Sequence, residues 1–501
     1  MRILFVLFCS LTLVACGGNK SSSGSSNNLI EQPVQTDEAV EPETITDTSD
    51  STDDDLAQDD EADTTPTEPE TDSPAEPDPS LQSTGLVPAN PNAKYAENLV
   101  PCTREEAIVN EDGETTYVNC PLVDLPFLIS DVRERGDAIP TIDDIISRTV
   151  VSHPWMSDRL AEVLVQMPDD LLKLFGGVTA IVIGADIRPS HYSYRTGAIY
   201  LDPASFWLTN GEKQTIDTAP DFRSAFGKEL NFLSLSRYVI GNEYAWKIFP
   251  LDSNEERTVN DITLPVAYLL FHELAHANDF NLLAMVDGHN NNRSVYQAFA
   301  FNYTNALITS MQLKANQPLT SQIMFGLADV MFKGEDTTEE QRLLSPTDVG
   351  LAFEIDGAAD DYSYNNEFED TAMLFGEVMM KYHFGVDREV AYTAVPSDRD
   401  DIECSDLIVG WGYRNRIADP LVKSRAEFVV QEILSIDDAS AYFANIPSSP
   451  TTLINGIDWC TNLALFEVGN TTSTKTLEKI SNKTKTIPKF RKSDLLSPHQ
   501  H

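Results

Sequence analysis

The chain has 501 residues, 41% of them hydrophobic, with 79 acidic against 35 basic side chains and a formal net charge of -44. At roughly 100 to 200 residues per domain, that length allows two or three domains and a sizeable buried core. So acidic a balance excludes nucleic acid as a partner for the bulk of the surface, because phosphate binding needs a basic footprint.

Residues 21–90 hold 19 acids, from Glu31 to Asp78, and no Lys or Arg, whereas the chain from 91 onward has 60 acids and 33 bases. Ser, Thr, Pro, Asp and Glu dominate the first of these stretches and aromatics are absent. Such a segment buries too little apolar surface to offset the entropy of ordering. The expectation for 16–90 is therefore a self-repelling, extended tether. Ahead of it stand Met1-Arg2 and an apolar run from Ile3 to Val14. About a dozen apolar residues are too few to span a bilayer, and a positive start before them fits an export signal over 1–15. Leu13-Val14-Ala15-Cys16 resembles the lipobox of bacterial lipoproteins. That resemblance implies cleavage before Cys16 and anchoring of Cys16 by several acyl chains, which hold stably to a membrane. Gly17, where Asp is absent, resembles the outer-membrane sorting default and implies an outer-membrane lipoprotein facing the periplasm or the surface.

With Cys9 in the signal and Cys16 acylated, Cys102, Cys120, Cys404 and Cys460 remain, an even number suited to an oxidising compartment. Glu105 to Val118 reads as a hairpin turning at Asn110-Glu111-Asp112-Gly113. It would bring Cys102 and Cys120 together at its base. Cys404 with Cys460 then follows by elimination, although four cysteines permit three connectivities. Residues 91–150 are expected to form a small, disulfide-clasped N-terminal element.

From 151 to 470, helical and strand patterns alternate and predict an α+β domain. Trp155 to Phe175 has mostly helical spacing, interrupted at Pro168 and stopped by Gly176-Gly177. Val178 to Gly184 is a β-branched run predicting a buried strand, and Gly197 to Leu201 a second. Residues 204–260 are poorly patterned. Helices are predicted over Leu264 to Phe280, Glu367 to Phe384 and Ser424 to Leu434. Residues 471–501 carry a run of Lys and Arg and are expected to be a basic, flexible tail.

The first of these helices contains His272-Glu273-Leu274-Ala275-His276. Two His four apart project from one helix face, so their ring nitrogens can converge on one ion, and Glu273 can reach a water bound there. Zn2+ suits imidazole nitrogen and leaves a position open. His, Glu and His are the only groups between Leu264 and Asn278 that can be charged near neutral pH, and burying them without a ligand is costly. For the third ligand, Asp279 and Leu282 stand where a metzincin needs Gly and His, and no Glu occurs between Glu273 and Glu335. A distant acid must serve. Glu369 is the leading candidate, on a helix whose Ala372 and Gly376 share its face and would allow close packing against the Ala275 side of the metal helix. Glu367, Glu377, Asp279 and His383 compete, with Asp279 more suited to orienting an imidazole.

At Glu369-Asp370-Thr371-Ala372 the chain resembles the gluzincin class of zinc metallopeptidases, being similar to anthrax lethal factor and the Pro-Pro endopeptidases. The resemblance spans about 40 residues. It implies a zincin-like fold, Glu369 as metal ligand and Tyr362, seven residues earlier, as donor to the oxyanion, with Tyr364 as alternative. Met373 stands where such families often have an acid. The implied activity is a zinc-dependent endopeptidase, one Zn2+ per chain, with Glu273 as general base and a peptide or protein substrate lying along a sheet edge such as Gly197 to Leu201. The rival readings are a non-catalytic, zinc-containing envelope lipoprotein acting as a binding module, and a zinc hydrolase of cell-wall amide bonds.

Overall fold

The computed structural model describes residues 78–106, 108–109, 115–219, 221–396 and 402–465. The export signal, Cys16, most of the acidic tether and the basic tail lie outside the described residues. The fold is mixed α and β, with two five-stranded sheets and a two-stranded hairpin among the described residues. None of the described helices is long and apolar enough to cross a membrane.

The first sheet contains β1 (Val87–Pro88), β2 (Thr149–Val151), β3 (Ile181–Ile183), β4 (His191–Ser193) and β5 (Ala198–Leu201), in the order β1-β2-β3-β5-β4. Its three central strands run parallel, with Thr149 opposite Ile181 and Ile181 opposite Ile199, while β1 and β4 close the two edges antiparallel. Val151, Ile181, Ile183, Ile199 and Leu201 face the main core, and Val150, Val182, Ala198 and Tyr200 pack on the other face with Leu99 and Cys102. Burial on both faces is what an unbroken β-branched run encodes. Two expectations change here. Val87–Pro88 already pairs with β2, so ordered structure starts before residue 91. Gly197 to Leu201 is not an edge, because β4 lies outside it, with His191 opposite Tyr200.

The second sheet contains β6 (Leu233–Ile240), β7 (Glu243–Tyr244), β8 (Asp387–Thr393), β9 (Val409–Arg414) and β10 (Thr451–Thr452), all antiparallel in the order β10-β9-β8-β6-β7. Trp411 on β9 packs on the helix Pro346–Glu354, and its indole N–H donates to Glu354 (3.0 Å).

Four longer helices matter for the site. The interrupted pattern after Trp155 resolves into α1 (Pro154–Leu164) and a separate short helix, Asp169–Leu174, with Pro168 between them. The motif helix is α2 (Val259–Phe280), buried at most positions and lying against β4 and β5. It starts a turn before the predicted Leu264, where Asp261 accepts from the Thr258 N–H (2.7 Å). Its main partner is α3 (Glu367–Phe384), which has the predicted bounds, and α4 (Pro420–Leu434) packs behind.

Both predicted disulfides are present. Cys102 joins Cys120 with Cα atoms 5.6 Å apart, at the base of a hairpin pairing Ile108–Val109 with Thr115–Thr116. Cys404 joins Cys460 at 5.7 Å. The turn at Asn110 to Gly113 lies outside the described residues.

Candidate metal centre

Each side chain of the motif is set by its element. His272 and His276 project from one face of α2 about a turn apart, both buried. Glu369 occupies the third position of α3, whose first turn is fixed by Asn366, its side-chain oxygen accepting from the N–H groups of Phe368 (2.9 Å) and Glu369 (3.0 Å). Asp370 turns away and pairs with Arg425 of α4, which also donates to the Gly357 carbonyl (2.8 Å). That pairing ties the start of α3 to its neighbours and leaves Glu369 facing α2.

Three atoms then converge. His272 Nε2 lies 3.1 Å from Glu369 Oε2, His276 Nε2 lies 3.3 Å from the same oxygen, and the two Nε2 atoms are 3.2 Å apart. Tetrahedral ligands about 2.0 to 2.2 Å from zinc stand about 3.3 to 3.6 Å from one another. The nearly equilateral triangle is thus a close fit to one face of a tetrahedral cation site, whereas three mutual hydrogen bonds cannot form among two ring nitrogens and one oxygen. Burial opposes charge on Glu369, but the His276 and His272 rings outweigh it and hold the carboxyl well below its usual range.

Glu273, between the two His, is buried, and its Oε2 makes no hydrogen bond among the described residues. Burial pushes its carboxyl up, opposed by both imidazoles. A buried carboxylate oxygen left without a partner is costly. A bound solvent molecule or substrate group would satisfy it.

The competing ligands are placed elsewhere. Glu367 pairs with Lys314 (3.2 Å), and His383 meets Asp170 (3.1 Å) while stacking on Phe271. Glu377 is buried near Arg388. Asp279 does not orient an imidazole as expected. Its Oδ1 accepts from the Ser310 N–H (2.8 Å), capping the helix Thr309–Asn316, and its Oδ2 makes no hydrogen bond among the described residues. Burial pushes its carboxyl up to about 6. Met373 accepts a hydrogen bond from the Tyr268 hydroxyl (3.4 Å).

The two tyrosines separate clearly. Tyr362 sits in the short turn Asp361–Tyr364, where Asp360 accepts from the Tyr362 N–H (2.7 Å) and pairs through its other oxygen with Arg388 of β8. Its ring lies 6.5 Å from that of His272, centroid to centroid. Burial, and then the Glu369 charge, hold its phenol well above the usual value, opposed by Arg223. The group therefore stays a proton donor. The Tyr364 hydroxyl points away and donates to Asp356 (3.1 Å).

Sequence reasoning did not single out Arg223, or the aromatic residues of β4 and of the helix Val295–Thr304. Arg223 has no motif around it. Tyr192-x-Tyr194 does carry strand alternation that would have revealed β4. No protein-family model matches the chain, and neither a curated protein nor a solved structure matches it.

Proposed function

We propose that this protein is a zinc-dependent endopeptidase of zincin-like fold, held at a bacterial envelope membrane through a lipid on Cys16. The observation that carries the reading is the 3.1 to 3.3 Å triangle of His272 Nε2, His276 Nε2 and Glu369 Oε2, with an orphaned Glu273 oxygen beside it. His272, His276 and Glu369 would hold the ion. Zinc, when bound, supplies a Lewis acid that makes water nucleophilic at neutral pH. Glu273 takes the proton of the attacking water and delivers it to the leaving amine. Tyr362 donates its phenolic hydrogen to the carbonyl oxygen as charge develops there. The outer edge of the first sheet is β4, beside the motif helix, and it suits an extended substrate chain. Leu13-Val14-Ala15-Cys16 and the acidic segment behind it support the tethered location.

The test is cleavage of an unfolded protein substrate by the full chain and by Glu273→Gln. Loss of a general base typically lowers the rate by about 10² to 10⁴. The variant should keep its metal and lose hydrolysis by that factor. A wild type that binds zinc and cleaves nothing would sink the reading.

A further inference from the structure

We propose that the substrate of this site carries a large aromatic or apolar side chain near the scissile bond and an acidic side chain further along, read by an aromatic shelf ending at Arg195. The inference rests on the peptidase reading above and adds the chemistry of the chain it would select. Phe368 immediately precedes Glu369, and Phe280 lies one turn beyond His276, their rings 4.7 Å apart. From Phe280 the ring contacts continue to Phe299 (5.2 Å), from Phe299 to Tyr194 (4.8 Å), and from Tyr194 to Tyr296 (6.1 Å). Tyr192, two residues before Tyr194, also stacks on Phe280 (5.6 Å), so this face of β4 looks toward the motif helix.

Phe368, Phe299, Tyr194 and Tyr296 are only half-buried, and beyond them Phe301 and Tyr303 are exposed. Aromatic surface of that extent, contiguous with a reactive centre, marks a binding face more than a core. The shelf ends on a cation. The Arg195 guanidinium lies 4.1 Å from the Tyr117 ring centroid, 5.5 Å from that of Tyr194 and 5.6 Å from that of Tyr296. No carboxylate among the described residues pairs with it, although acids outnumber bases in this chain. Tyrosine faces attract a guanidinium without neutralising it, so the positive charge remains available. The net charge of -44 does not forbid an acidic ligand, since salt screens interactions beyond about 8 Å and the nearest charge decides.

The experiment uses the full chain bearing Glu273→Gln, which suppresses hydrolysis, and fluorescent peptides read by anisotropy. One series carries Phe with a Glu placed two to five positions away on either side. Matched series replace Glu with Gln or Lys, or Phe with Ala. Replacing Phe should weaken binding about tenfold, as expected for loss of a buried aromatic contact. Replacing Glu with Gln should weaken it roughly threefold to fivefold, as for a solvent-exposed ion pair, and high salt should erase the difference. Arg195→Gln should remove the Glu preference, and Arg195→Glu should prefer the Lys peptide. Unchanged selectivity in both Arg195 variants, equal binding of all the peptides, or no binding at all overturns the proposal. A chain with Glu273 intact that cleaves peptides without these preferences overturns the shelf and keeps the peptidase. Selective binding without any cleavage does the reverse.

Discussion

At the scale of single residues, the site is defined by which oxygen and nitrogen atoms point inward. Glu369 reaches both imidazoles, His272 across a sequence separation of 97 residues, while Glu367 and Asp279 are engaged elsewhere. Tyr362 and Tyr364 make the same point for the proposed oxyanion donor. Only the first faces the motif helix, since the second is bound to Asp356, which also accepts from the backbone of Thr320 (2.6 Å) and Ser321 (2.8 Å). Removing a preorganised oxyanion donor costs about 10² to 10³ in kcat. Tyr362→Phe should therefore lower kcat by about 100-fold with little change in KM. Tyr364→Phe should leave kcat near wild type and cost about 1 kcal/mol of stability for the lost hydrogen bond. Steady-state kinetics and denaturant titration of the two variants check this, and equal kinetic losses would contradict it.

At the scale of elements, α2 and α3 were legible because each combines an apolar run with clear ends, Asn366 and Gly385 bounding α3. Strand β6 was not. Its inward positions read Leu233, Leu235, Arg237 and Val239, and the buried Arg237 pairs with Glu389, which Arg414 holds from the other side. An ion cluster inside a sheet breaks the apolar alternation on which a strand prediction depends. Strand β4 is only three residues long, and the alternation of Tyr192 and Tyr194 was its one signal. The small residues of α3 need a finer reading than the sequence allowed. A Cβ built at Gly376 would stand 3.4 Å from the Tyr268 ring, an ordinary contact. Gly376→Ala should raise stability by roughly 0.5 to 1 kcal/mol through helix propensity alone. At Gly350 the same Cβ would collide with Trp411, and Gly350→Ala should cost about 1 to 3 kcal/mol. Chemical denaturation of both variants gives the sign. Destabilisation by Gly376→Ala would mean that α2 and α3 pack more tightly than described.

At the scale of the whole molecule, the fold holds charged groups in its interior, and that couples its stability to pH. Glu377 is buried with no well-formed hydrogen bond to either oxygen among the described residues, and burial pushes its carboxyl from 4.5 up to about 7, with Arg388 offsetting only part. A raised folded value means that its favourable contribution is complete below the unfolded value and is lost as pH rises through about 7. Glu377→Gln should therefore stabilise the protein more at pH 8 than at pH 5, by up to about 3 kcal/mol. Thermal unfolding at the two pH values tests this, and an equal shift at both would contradict it. The same long-range assembly explains what could be read in the linear chain. His272, Glu273 and His276 are a local motif, and Glu369 was within reach of argument because its helix is local too. The aromatic shelf was not, since β4, the motif helix, the Val295–Thr304 helix and the start of α3 each supply one part. The most direct test is the zinc content of the full chain beside that of His276→Ala and Glu369→Ala. The expected result is one zinc per wild-type chain and loss of zinc from both variants with the fold retained. Zinc absent from the wild type, or held as tightly without Glu369, would contradict it.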